Sequence, residues 1–167
     1  GWVGSPIDVL LGMDVLGRFE FGLDLRAGHL VIARPRTIRW RGARLPLEPL
    51  AGVPSVTAVI NGKSVRAFVD TGARLSYGSS ALATGVAPGR SERDFYPGIG
   101  VFDTEVRELP LEIAGQHLQL EFGTLPAALA GLLGATGVDA ILGADILRTH
   151  RVAFQPGRRT LAIDQMA

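Results

Sequence analysis

Apolar and polar residues alternate along most of this chain with a period of two, in short runs separated by turn residues. Residues 55–60 and 64–69 are β-rich runs either side of Asn61-Gly62, a dipeptide suited to a two-residue hairpin because both turn positions need positive φ. Leu109, Leu111 and Ile113 alternate with Glu108, Pro110 and Glu112, and after Ala114-Gly115-Gln116 the chain returns through residues 117–122. That alternation is the mark of a half-buried strand. The most continuous apolar stretch, residues 125–144, is broken by Pro126, Asp139 and several glycines, so it predicts a loop, a short helix and a strand. The pattern as a whole predicts an all-β chain with one or two short helices.

The chain also repeats itself. Residues 7–32 and 138–163 align without a gap at an offset of 131, matching Asp8 with Asp139, Leu11 with Leu142, Gly12 with Gly143 and Asp14 with Asp145. Leu16 matches Leu147, Leu30 matches Leu161 and Ile32 matches Ile163. Each copy reads as a strand ending at Gly, a short helix, a strand, a turn and a last strand. Only the later copy has a long β-rich segment ahead of it. Residues 34–50, rich in Arg and Pro, read as a linker, and the arginines at 34, 36, 39, 41 and 44 as its solvated face or as a site for phosphate or an acidic partner.

Composition narrows the chemistry. The 167 residues carry a net charge of +1, which does not favour nucleic acid or an anionic membrane as partner. With no Cys there is no thiol nucleophile and no zinc–thiolate site. The three histidines are scattered, so no metal site and no cofactor is expected. Neither a signal peptide nor a membrane segment is visible, and cytoplasmic and periplasmic locations both stay open. Lys63 is the single lysine, a bias of genomic composition.

Asp70-Thr71-Gly72-Ala73 follows directly on a strand. Alone, such a triplet is a turn; as a site, Asp supplies a carboxylate, Thr a hydroxyl and Gly close backbone approach. The ordered set is a hairpin, Asp70-Thr71-Gly72-Ala73, Gly98-Ile99-Gly100 in a loop, a second hairpin, Ile141-Leu142-Gly143 and Asp145-Ile146-Leu147. It resembles the retropepsin-like aspartic peptidases of clan AA, single-lobe relatives of pepsin, in a bacterial form. The resemblance covers residues 51–167, and residues 1–33 resemble the C-terminal part of a preceding lobe of the same kind.

The resemblance implies a closed β-barrel of the acid-protease type, an aspartic endopeptidase acting on peptides or unfolded protein, and no cofactor. It makes Asp70 the catalytic aspartate, Thr71 a brace between active-site loops and Gly72 a shaper of the cleft. Ala73, Gly98, Ile99, Gly100, Val101, Ile141 and Leu142 would be substrate-binding, with residues 95–105 as a flap and residues 141–143 beneath the catalytic loop. Asp145 and Asp14 read as helix-start residues.

An aspartic peptidase needs two carboxylates sharing a proton, and this chain has one Asp-Thr-Gly. The second is expected from a homodimer mate or from an upstream lobe in a tandem chain; alternatively residues 1–33 cap a homodimer. A catalytically inactive dimerisation or peptide-binding module is the competing expectation.

Overall fold

The computed structural model describes residues 8–96 and 99–165. Helix α1 (Met13–Leu16) leads into strands β1 (Glu20–Asp24), β2 (His29–Ala33), β3 (Ala43–Pro46) and β4 (Glu48–Leu50). The central part holds β5 (Val53–Ile60), β6 (Lys63–Val69), β7 (Ser76–Gly78), β8 (Arg90–Tyr96), β9 (Gly100–Ile113) and β10 (Gln116–Thr124). Helix α2 (Ala127–Ala135), β11 (Ala140–Leu142), β12 (His150–Gln155) and β13 (Thr160–Gln165) complete the chain, with short 3-10 turns at Ser80–Ala83, Ala144–Arg148 and Pro156–Arg158. The protein is all-β, as the alternation predicts, and among the described residues no helix is long and apolar enough to cross a membrane.

The predicted hairpins form where the turn chemistry puts them. Asn61 (φ 47°) and Gly62 (φ 75°) join β5 to β6, and Ala114 (φ 53°) and Gly115 (φ 73°) join β9 to β10. Strands β5, β6, β11, β7, β10 and β9 lie side by side in that order. Pairing of Ile60 with Leu111 then joins β5 to β9 and closes the ring into a barrel. Ile60, Ala67, Leu111, Ile113 and Leu142 fill its interior, the alternate positions of each strand that the period-two pattern marks as apolar.

The second sheet, ordered β2-β1-β12-β13-β3, joins the two copies of the repeat. Phe21 of β1 stacks on Phe154 of β12, ring centroids 4.5 Å apart. Residues 34–50 are more than a linker: β3 pairs with β13 and β4 with β5. Glu20, fully buried, ties this stretch down. Its Oε1 accepts from Arg158 Nε at 3.2 Å and Gln155 Nε2 at 3.4 Å. Burial opposes its ionisation, but hydrogen bonds from the Arg36 backbone, Arg158, the Ile38 backbone and Gln155 outweigh it and hold the carboxyl below its ordinary value. The arginines of the stretch turn partly onto backbone: Arg44 Nη2 donates to the Trp40 carbonyl at 2.8 Å.

One predicted strand is missing. Residues 8–12 have no regular structure, whereas their repeat equivalents in β11 are hydrogen-bonded on one side to β6 and on the other to β7. Residues 8–12 have no such neighbours among the described residues, and an isolated strand leaves its backbone groups unpaired.

His150 starts β12, buried, with Nε2 lacking a partner among the described residues and Nδ1 2.8 Å from Thr149 Oγ1. Burial pushes its pKa below the ordinary value; the charge of Asp164 opposes this only partly. A histidine with a depressed folded pKa favours the neutral form on folding, so its contribution is lost as pH falls. Stability is therefore expected to decline from about pH 6.5 downward, and a His150→Gln variant should show a flatter profile there by chemical denaturation.

Candidate active site

Asp70 leaves the end of β6, where its backbone N–H donates to the Leu142 carbonyl at 2.9 Å. The chain then turns back on itself. Gly72 N–H donates to Asp70 Oδ1 at 2.9 Å, and Ala73 N–H to the Asp70 carbonyl at 3.1 Å. One oxygen of the carboxylate is thus fixed by a backbone donor and the residue stays half-exposed just past the end of β6. Thr71 and Gly72 are exposed and Ala73 is half-buried.

The loop is held from below. Ala144 N–H donates to the Ala73 carbonyl at 2.7 Å. Gly143 packs so closely that a Cβ there would sit 2.3 Å from the Leu75 carbonyl oxygen, contact that no other residue allows. Gly143 N–H donates to Ser76 Oγ at 3.0 Å, and Ser76 Oγ donates to Asp145 Oδ1 at 2.7 Å. Asp145 Oδ2 also accepts from Ser76 N–H at 3.3 Å. The sequence reading of Asp145 as a helix-start residue therefore changes. It sits in the first turn of residues 144–148 but is buried, and it braces the aspartyl loop rather than capping a helix. Burial raises its pKa, and the bonds from Ser76 and Ile146 only partly reverse this.

Ile141 and Leu142 are fully buried in the core beneath this loop. They support it from inside, so the expectation that they contact substrate is corrected: their side chains face the two apolar clusters of the interior. Ile99 and Val101 are exposed and Gly100 (φ 90°) half-buried at the tip of the β8–β9 hairpin. Gly98 lies outside the described residues. Tyr96 and Ala73 pack against the same apolar cluster. Burial raises its pKa, and the negative charge of Asp70 adds to the rise.

A polar chain missed by sequence reasoning links hairpin to loop. Tyr77, buried beside β11, donates its hydroxyl to Asp94 on β8. Burial first, and then this bond, raise its pKa. Arg74, two residues after Gly72, reaches Glu92, and Arg90 joins Glu92 to Glu121. Bonds from Arg74 and then Arg90 lower the pKa of Glu92. The large cation after Ala73 thus belongs to the hairpin's ion-pair ladder. Its signal in the sequence was only the alternation Arg90, Glu92, Asp94 on one face of a strand.

No family model matches the chain, and no curated protein matches it. Among solved structures, it is similar to a retropepsin-like aspartic protease from Rickettsia conorii, with 14% identity, a TM-score of 0.49, and 75% of this chain and 96% of that one covered. It is similar to EIAV protease at 23% identity and a TM-score of 0.41, covering 57% and 86%. For simian foamy virus protease the values are 18% and 0.41, covering 55% and 90%. The chain is an all-β protein, and its likeness to these solved structures is a partial one.

Proposed function

We propose that this chain contributes one catalytic lobe of an aspartic endopeptidase. The observation that carries the reading is the setting of Asp70. Its carboxylate stands half-exposed, accepting from Gly72 N–H, on a loop fixed by Gly143, Ser76 and Asp145.

A carboxylate so held can take a proton from water or give one to a carbonyl oxygen, but one group cannot do both at once. Two such loops brought together would share a single proton, because two adjacent carboxylates do not both ionise cheaply. The ionised member then activates water while the protonated member polarises the scissile carbonyl. The apparent pKa values belong to the pair. An extended peptide would lie between hairpin and loop as an added strand, held by main-chain hydrogen bonds, with Ala73, Ile99, Gly100 and Val101 beside it. Thr71, exposed on the loop, would face its equivalent on the second loop.

The test is a peptide whose scissile carbonyl is replaced by a hydroxyl-bearing tetrahedral carbon. It should inhibit cleavage of an unfolded substrate, bind with one molecule per two aspartyl loops, and bind at least about a hundred-fold tighter than the parent peptide. Equal affinity for both would defeat the proposal. The single Asp-Thr-Gly favours a second reading, a peptide-binding module without catalysis; it requires bound peptide to be recovered uncut.

A further inference from the structure

The two copies of the repeat are alike in backbone and opposite in burial. Within β1–β2, Gly22 pairs with Val31; within β12–β13, Ala153 pairs with Ala162, the same register displaced by the 131-residue offset. Across the copies, Gly22 pairs with Ala153, its own repeat equivalent, and the flanking pairs are Phe21 with Phe154 and Leu23 with Val152. Antiparallel strands centred on an equivalent pair are related by a local two-fold axis. Four strands, β2-β1-β12-β13, obey it.

The surroundings do not. Ile141 and Leu142 are 2% and 1% exposed, while their equivalents Leu10 and Leu11 are 90% and 50% exposed. Leu161 and Ile163 are 1% and 0% exposed, against 52% and 46% for Leu30 and Ile32. In the second copy, β3 covers the edge of β13, β6 and β7 flank β11, and Ser76 bonds Asp145. Outside the turn at residues 25–28, each large apolar residue exposed in the first copy matches a buried apolar residue in the second. Exposed apolar stripes of this continuity mark an interface.

We infer that residues 8–33 are the docking surface for a second barrel body, built like residues 43–139 and encoded one repeat earlier in the same polypeptide. That body closes around residues 8–12 as two flanking strands, draws them into the missing strand, and adds an edge strand along Leu30–Ile32. Its hydroxyl equivalent to Ser76 bonds Asp14, and its aspartyl-loop N–H docks on the Leu11 carbonyl, as Asp70 docks on Leu142. A second copy of this chain does not serve in the same way, because its barrel already holds its own residues 139–164. That the incoming loop completes a catalytic pair rests on the proposed peptidase reading; the docking itself does not.

The test compares the 167-residue chain with the polypeptide extended upstream by the encoded sequence. The extension should carry an Asp-Thr-Gly or Asp-Ser-Gly about 60 residues ahead of Gly1, with Ser or Thr six positions after its Asp, as Ser76 follows Asp70. In the extended protein, a monomer by sedimentation, hydrogen exchange at residues 9–11 and 30–32 should slow at least about a hundred-fold. Leu11→Lys with Ile32→Lys should reverse this while β5–β6 exchange stays unchanged, showing the lobe still folded. The inference is overturned by an upstream sequence without the repeat, by unchanged exchange in the extended protein, or by a dimer of the 167-residue chain that protects the same amides. Cleavage is not read in any arm, so a docked but inactive protein would reject the peptidase reading alone.

Discussion

Replacing Asp70 by Asn is expected to lower peptide cleavage by about a thousand-fold or more while leaving the fold intact. General acid–base groups contribute roughly 10²–10⁴-fold, and without Asp70 the proposed pair cannot share its proton. Asn keeps the shape of Asp, and its Oδ1 still accepts from Gly72 N–H, the side-chain bond that orients the loop. What it loses is the ability to take a proton from water. The side chain is half-exposed, so the thermal transition should move by little. The measurement is cleavage of a quenched fluorescent peptide by the assembled protein, alongside circular dichroism melting. Cleavage within ten-fold of wild type by a folded Asp70→Asn protein would contradict a role for Asp70 in the chemistry.

Asp145→Ala is expected to destabilise the protein by about 3 kcal/mol or more and to release the aspartyl loop. The carboxylate accepts from Ser76 Oγ and N–H and from Ile146 N–H, all in the interior. Alanine leaves those donors without a partner at roughly 1–3 kcal/mol each, although local relaxation recovers part of the total. Ser76→Ala should cost less alone and should be non-additive with Asp145→Ala, because the two groups share one bond. Asp145→Asn separates charge from hydrogen bonding. The raised pKa of the wild-type carboxyl means that the folded state holds its proton to higher pH than the unfolded state. Wild-type stability should therefore fall as pH rises from about 4 through the raised value, and the Asn variant should lack that slope in urea titrations.

The strand order was readable where local chemistry decides it. Asn61-Gly62 and Ala114-Gly115 set two hairpins, and the alternation at residues 108–113 assigned the inward face of β9. The barrel's closure through Ile60 and Leu111 was not readable by spacing, since it joins residues far apart in the chain. Burial was the weakest inference. Ile141 and Leu142 adjoin the site in sequence, yet parallel pairing with β6 and antiparallel pairing with β7 place them inside. Asp145 reads in the sequence as a helix-start residue, and its bracing role is hidden because its partner Ser76 lies 69 positions away. In residues 34–50 the Arg and Pro content masked two strands, because β3 and β4 draw their stability from β13 and β5 rather than from their own pattern.

The long strand β9 is mechanically a cantilever. From Val106 to Ile113 it is built into the barrel by β10, and further by β5 at Leu111 and Glu112. From Gly100 to Glu105 its one ladder is with β8. The root is stiffened by Thr104, whose hydroxyl donates to the Thr124 carbonyl at 2.9 Å and accepts from Thr124 N–H at 2.8 Å. Farther out the arm is propped from the side: Tyr77 bonds Asp94, Arg74 pairs with Glu92, and the Phe102 ring lies 6.0 Å from that of Tyr77. The props come from the residues that follow Asp70-Thr71-Gly72, so arm and loop are braced against each other. Substitution of Arg74 would remove a prop without touching the barrel's own ladders, whereas substitution of Thr104 would loosen the clamp.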